Sequence, residues 1–144
     1  ELGSGNGISN GRGLAGMYQP LANGGGNLVG RDTLARMGRV AMATHEDATL
    51  LIPSRFALGF MKSMDNRKLK NEPNSSCIMG DAGFGHVGMG GSIGFADPEC
   101  RMSFGYNMNR MGAGILLNNR GQALVDAAYR SLGYRSNASG VWVA

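Results

Sequence analysis

From Met102 to Met108 the chain alternates strictly: Met102, Phe104, Tyr106 and Met108 are apolar, with Ser103, Gly105 and Asn107 between them. A period of two puts successive side chains on opposite faces of an extended chain, so this segment predicts a half-buried strand. Ser92 to Ala96 repeats the pattern, with Ile93 and Phe95 on one side. Asp97-Pro98-Glu99 lies between the two and carries turn chemistry, which predicts an antiparallel hairpin.

Elsewhere the spacing is helical. Asn118 or Asn119 caps a predicted helix through Leu132, with Leu124, Val125, Ala128 and Leu132 on its inner face and Gly133 as stop. Ser9 or Asn10 caps another, whose apolar positions are Leu14, Met17, Tyr18, Leu21 and Ala22, ending at Gly24. Asp32 or Thr33 caps a shorter one carrying Leu34, Met37 and Ala41. Arg55 to Lys62, after Pro53, reads as a strand, and residues 63–80, polar at their centre, read as an exposed loop. The order predicts an antiparallel sheet covered by helices on at least one face, an α+β arrangement.

At 144 residues there is room for one domain and a modest core. The 25 glycines imply turns and close backbone approaches, and the 10 methionines suit an irregular core, so both favour a loop-rich fold. The net charge of +4 is dispersed, and its densest run, Arg67-Lys68-Leu69-Lys70, lacks interleaved aromatics, which speaks for a solvated loop and against nucleic-acid binding. Cys77 and Cys100 have no CxxC spacing and no nearby histidine, so no zinc site, redox motif or cofactor is indicated, although the two could pair. No apolar run approaches the length of a membrane span. Glu1, standing where a start methionine would, reads as the beginning of a fragment or a processed chain.

The candidate chemistry lies in FGHVGMGGSIGF, Phe84 to Phe95, which holds one of two histidines and an embedded G-x-S-x-G from Gly90 to Gly94. A nucleophile elbow needs a helix straight after the serine and a histidine later in the chain. Ser92 is followed by a strand and a turn, and no histidine exists beyond position 86. If Phe84 to Met89 is extended, Phe84, His86 and Gly88 share one face and Val87 and Met89 the other. Gly88 then leaves backbone bare beside the imidazole, where a ligand could bond to main-chain amides with His86 supplying a donor or a proton.

The segment FGHVGMGGSIGFADPE, followed by MSFGYNMNRM, resembles the third-motif region of serine β-lactamase-related proteins. That family contains class C β-lactamases, D-alanyl-D-alanine carboxypeptidases and family VIII esterases. NGISNGRGLAGMYQPLANGG resembles a helix from the later half of these proteins, and LLIPSRFALGFM the strand segment that follows it. The resemblance implies a β-lactamase/transpeptidase-like fold, an antiparallel sheet flanked by helices, of which this chain is the C-terminal portion. Residues 1–50 would end the helical region, 51–112 would supply sheet strands and loops, and 113–144 the C-terminal helix and tail.

It also implies roles. His86-Val87-Gly88 would stand at the family's K/H-T-G position, with His86 holding substrate charge and tuning proton transfer, and Val87 and Gly88 lining the substrate. The Met89 N–H would be one oxyanion-hole donor, a group worth about 2.7–4 kcal/mol in such sites. Val87 replaces a hydroxyl-bearing residue, which favours an ester or other amide substrate over penicillin-like carboxylates. None of Lys62, Lys68 and Lys70 has a serine three positions earlier, so no SxxK is present. Tyr129-Arg130-Ser131 and Tyr134-Arg135-Ser136 match YxS only on or just after the last helix.

The expectation is the C-terminal part of a serine hydrolase acting through an acyl-enzyme on a small ester or amide, inactive alone. Its natural partner would be the missing N-terminal part of the same domain. In the family the last strand pairs with the first, so Arg101 to Arg110 would lose a neighbour and the final helix would be partly uncovered, inviting self-association. The alternative is a non-catalytic binding or structural descendant.

Overall fold

The computed structural model describes residue 5, residues 7–70 and residues 74–144. Its elements are α1 (Gly11–Ala22), α2 (Arg31–Gly38), β1 (Met42–Thr44), β2 (Ser54–Phe56), β3 (Phe84–Gly88), β4 (Ser92–Asp97), β5 (Met102–Tyr106) and α3 (Asn119–Ser131). β3, β4 and β5 form an antiparallel sheet in sequence order, and β1 pairs antiparallel with β2. Met61 joins the two, pairing with Phe56 on one side and Gly85 on the other.

The strand register divides the side chains between two faces. Val87 lies opposite Ile93, and Phe95 opposite Phe104. These side chains pack with Val125 and Tyr129 of α3 in the larger core. Phe84 lies opposite Ala96, His86 opposite Gly94, and Gly94 opposite Gly105. On this second face Phe84 and Ala96 pack against Leu21, Ala22 and Leu34 from α1 and α2. The sheet therefore sits between α1 with α2 and α3, and each fully buried large apolar side chain contributes about 1.5–3 kcal/mol.

α1 comes close to the sheet because β4 and β5 offer it bare backbone. A Cβ on Gly94 would stand 2.7 Å from Tyr18 Cε2, and one on Gly105 would overlap the Gly11 carbonyl oxygen. The helix starts where predicted, with Asn10 Oδ1 accepting from the Gly13 N–H at 2.9 Å. Met17, placed inward by the helical spacing, is 65% exposed.

Four further expectations are corrected. Residues 55–62 are not one strand: β2 stops at Phe56, and a tight turn, with the Ala57 N–H donating to the Phe60 carbonyl, brings Met61 back beside it. Residues 63–80 are not an exposed loop throughout. Arg67 to Lys70 are exposed, but Met64 pairs with Cys77, and Met64, Cys77, Ile78 and Met79 join the larger core. α2 begins at Arg31 after Gly30, with neither Asp32 nor Thr33 as its cap, and it ends at Gly38, so Ala41 lies beyond it and is exposed.

The fourth concerns α3, whose inner stripe is Gly121, Val125 and Tyr129. Leu124 and Leu132, predicted inward, are 45% and 50% exposed. Tyr129 turns inward instead because its hydroxyl meets a buried carboxylate there, Asp97 Oδ2 at 2.6 Å. Asn118, one of the two predicted caps, does cap this helix, and Cys77 and Cys100 are both free thiols.

Candidate active site

The last residues of β3 carry the predicted site. Their face assignments follow from pairing with β4: His86 lies opposite Gly94 and Gly88 opposite Ser92 on the α1 side, while Val87 opposes Ile93 on the α3 side. Accordingly His86 is exposed and Val87 is buried in the core. Only the main chain of Val87 is left to line a cleft on the α1 side, so a hydroxyl at this position would point into the core. An open depression of about 190 Å³ lies on the α1 side, bordered by Leu14 and Tyr18 of α1 and by His86, Gly88, Ser92 and Gly94 of the sheet.

The His86 ring is oriented by its own strand, with Nδ1 at 2.7 Å from the Val87 carbonyl oxygen. A carbonyl can only accept, so Nδ1 donates its proton to it, and Nε2 takes no part in that bond. Ser92 is half-buried on the same face. Burial pushes the Tyr18 phenol above its ordinary pKa, so it stays a neutral donor at the apolar border of the depression.

At the end of β3 the chain reverses through a β-turn, Gly88 to Gly91, closed by the Gly91 N–H donating to the Gly88 carbonyl at 3.0 Å. Gly90 has φ 94° and Gly91 φ 108°, values that exclude most other residues. Met89, at the turn's corner, is 70% exposed, and among the described residues its N–H donates to no main-chain acceptor. The turn is clamped from behind: the Gly90 carbonyl accepts from Asn118 Nδ2 at 2.7 Å and from the Gly112 N–H at 2.9 Å.

The structure thus brings His86, Gly88 and Ser92 together with Leu14 and Tyr18 around one depression, and the Met89 corner follows directly at the end of β3. The sequence singled out none of the α1 residues, and it set Ser92 aside as a nucleophile while leaving it in the strand that walls the site. Only the fact that Ser92 shares the period-two face of Gly88 and His86 across a hairpin signalled its place. Tyr129 is fully buried against Asp97, so the first YxS match is a core feature. His45 follows β1 and is exposed, bordering a separate depression with Ser54, Arg55 and Asp65. Lys62 is buried, its ammonium donating to the Asp81 carbonyl at 2.7 Å, and burial pulls its pKa down against the opposing pull of the Asp81 charge. Among the described residues no three His, Cys, Asp or Glu side chains gather to hold a metal ion.

An antiparallel sheet between helices, with a histidine-bearing strand ending in a glycine turn beneath a helix, defines a β-lactamase/transpeptidase-like fold. Solved structures agree. A family VIII carboxylesterase superposes with a TM-score of 0.67 at 37% identity, covering 85% of this chain and 31% of that one. A penicillin-binding protein homologue from Caulobacter crescentus does so with 0.67 at 27% identity, covering 84% and 31%. EstA from Arthrobacter nitroguajacolicus Rue61a gives 0.66 at 25% identity, covering 85% and 32%. The family model described as Beta-lactamase matches residues 2–128, and the chain belongs to that family. "Esterase/beta-lactamase LipL" of Mycobacterium tuberculosis (strain ATCC 25618 / H37Rv) is 32% identical over 123 residues, 83% of this chain and 26% of LipL. The chain therefore spans about a quarter of the length of that curated relative.

Proposed function

We propose that these residues form the glycine-rich wall of a serine hydrolase that cleaves a small ester or amide through an acyl-enzyme. The observation that carries the reading is the end of β3. There the Met89 N–H is unclaimed among the described main-chain bonds, and His86 is exposed on β3 three residues earlier. Such an N–H stabilises the oxyanion formed when a serine oxygen attacks the substrate carbonyl. The serine gives up its proton as it attacks and the leaving group gains one as the C–O or C–N bond breaks; on this reading Nε2 of His86 takes up the first proton, holds the charge at the cleft, and hands the proton on. Water hydrolyses the acyl-enzyme by the same route.

The nucleophile belongs to polypeptide beyond these 144 residues, since no lysine here follows a serine by three. Taken alone the chain is inactive on this reading. β5 pairs with β4 on one side only, and among the described residues its outer edge has no strand beside it. The remainder of the domain would cover that edge, and without it a second copy would. An ester substrate is favoured by the likeness to the carboxylesterase and to LipL.

The test is turnover of a nitrophenyl ester by the full-length protein, with mass-spectrometric location of a fluorophosphonate adduct. The expected adduct is on a serine of an SxxK upstream of Glu1. His86→Ala should lower kcat by about a hundredfold, within the range of general acid–base groups, with folding intact. Unchanged turnover removes His86 from the mechanism, and a full-length protein with neither label nor turnover favours the non-catalytic descendant.

A further inference from the structure

The geometry points to Asn118 as the residue that positions the Met89 amide, through a series of hydrogen bonds running from the cap of α3 into the turn. This rests on the oxyanion role proposed above for Met89. Asn118 is 5% exposed and both ends of its carboxamide are committed. Its Oδ1 accepts from the Gly121 N–H at 3.2 Å, which caps α3, and its Nδ2 donates to the Gly90 carbonyl at 2.7 Å. The two partners fix the orientation of the amide, because the helix offers only a donor and Gly90 only an acceptor.

From Gly90 the series continues through two peptide planes. The Gly90 carbonyl and the Gly91 N–H belong to one peptide unit, and that N–H donates to the Gly88 carbonyl at 3.0 Å. The Gly88 carbonyl shares its unit with the Met89 N–H. No peptide among the described residues is cis, so that N–H points directly away from the carbonyl that Gly91 holds. Fixing the Gly88 oxygen therefore fixes the direction of the Met89 donor. Each bond in the series also polarises the next, which makes the terminal N–H a better donor than a free turn amide.

The surroundings leave space for this and little else. A Cβ on Gly91 or on Gly112 would overlap the Asn118 amide group. The Gly112 N–H adds a second bond to the Gly90 carbonyl at 2.9 Å, so the loop before α3 braces the same atom. Turn, loop and helix cap meet at one carboxamide. Asn118 is thus a positioning residue, since it acts on the reacting oxygen only through Met89.

Two variants of the full-length protein test this. Asn118→Asp keeps the cap acceptor and the side-chain volume but removes the donor to Gly90. Asn118→Ser keeps a short cap and cannot reach Gly90. Both should lower kcat for a nitrophenyl ester by about tenfold, less than the loss when an oxyanion donor is deleted outright. KM should stay within about twofold, and affinity for an alkylboronate, a transition-state mimic, should fall by the same factor as kcat. In the folded variants the Gly91 amide should exchange with solvent faster than in the wild type.

Wild-type kcat in either folded variant overturns the role of Asn118. So does a kcat loss that tracks only a fall in the folded fraction, with boronate affinity per folded molecule unchanged. A wild-type full-length protein that hydrolyses no ester instead removes the acyl-enzyme reading, and this role with it. Active wild type with unaffected variants leaves that reading standing.

Discussion

Replacing Tyr129 by Phe removes one oxygen atom and should destabilise the fold by about 2.5–6 kcal/mol. The Tyr129 hydroxyl donates to Asp97 Oδ2 at 2.6 Å and accepts from the Gly80 N–H at 2.8 Å. Tyr129 and Asp97 are each 0% exposed. Burial, and then the neighbouring Asp97 charge, push the phenol far above its ordinary pKa, so it remains a donor throughout the neutral range. The ring stacks between Phe95 and Trp142, at 6.2 and 5.8 Å between centroids, and phenylalanine keeps that packing. What is lost is a hydrogen bond to a charged group, about 1.5–3 kcal/mol, and the acceptor that the buried Gly80 N–H has among the described residues, about 1–3 kcal/mol. Asp97 retains only the Glu99 N–H on its other oxygen, at 3.1 Å. Urea unfolding of the full-length protein reads the loss as a fall in midpoint at constant slope. A double-mutant cycle with Asp97→Ala should give a coupling of about 1.5–3 kcal/mol, within the range for contacting residues. A loss under about 1 kcal/mol at unchanged slope would refute the assignment of Tyr129 as the tie between α3 and the hairpin.

Gly105→Ala should detach α1 from the sheet, costing about 1–3 kcal/mol, because the new Cβ meets the Gly11 oxygen and the Ala15 nitrogen, backbone atoms that cannot rotate aside. Limited proteolysis within residues 11–22 reports it, and wild-type resistance would show that α1 does not depend on bare backbone at this point. Stability should also fall in alkali. Burial raises the Cys77 thiol from 9.0 to about 12, so the folded state holds this proton more tightly than the unfolded one. Its contribution is complete below about pH 9 and is lost at about 1.4 kcal/mol per pH unit as pH rises toward 12. Cys77→Ala should flatten the decline of the urea midpoint above pH 9, and an identical decline in both proteins would rule the thiol out.

The parts of the fold legible in the sequence are those whose burial is decided by neighbours close along the chain. The hairpin of β4 and β5 and the exposed face of His86 follow from a period of two, and the cap at Asn10 from a single side chain. α3 was legible as a helix but not in rotation, because counting apolar residues selects Leu124 and Leu132. Its true stripe is set by Tyr129 finding Asp97, 32 residues away. Residues 63–80 misread for a related reason: a charged tip hid Met64 and Cys77, which are paired across it.

The site divides in the same way. The histidine, the bare glycine and the corner amide lie within four consecutive positions and could be read together. Asn118 could be read only as a helix cap, since its second bond joins it to Gly90 across 28 residues. The glycines of this run serve both kinds of contact. Gly94 and Gly105 let α1 approach the sheet from one side, while Gly91 and Gly112 leave room for the Asn118 amide behind the turn. A donor that must point at a reacting oxygen has to be held by groups outside its own loop, because a free turn has little to stop its peptide planes from rotating. On the oxyanion role proposed for Met89, that support comes from Asn118 at the cap of α3, a residue the sequence marks only as a helix start.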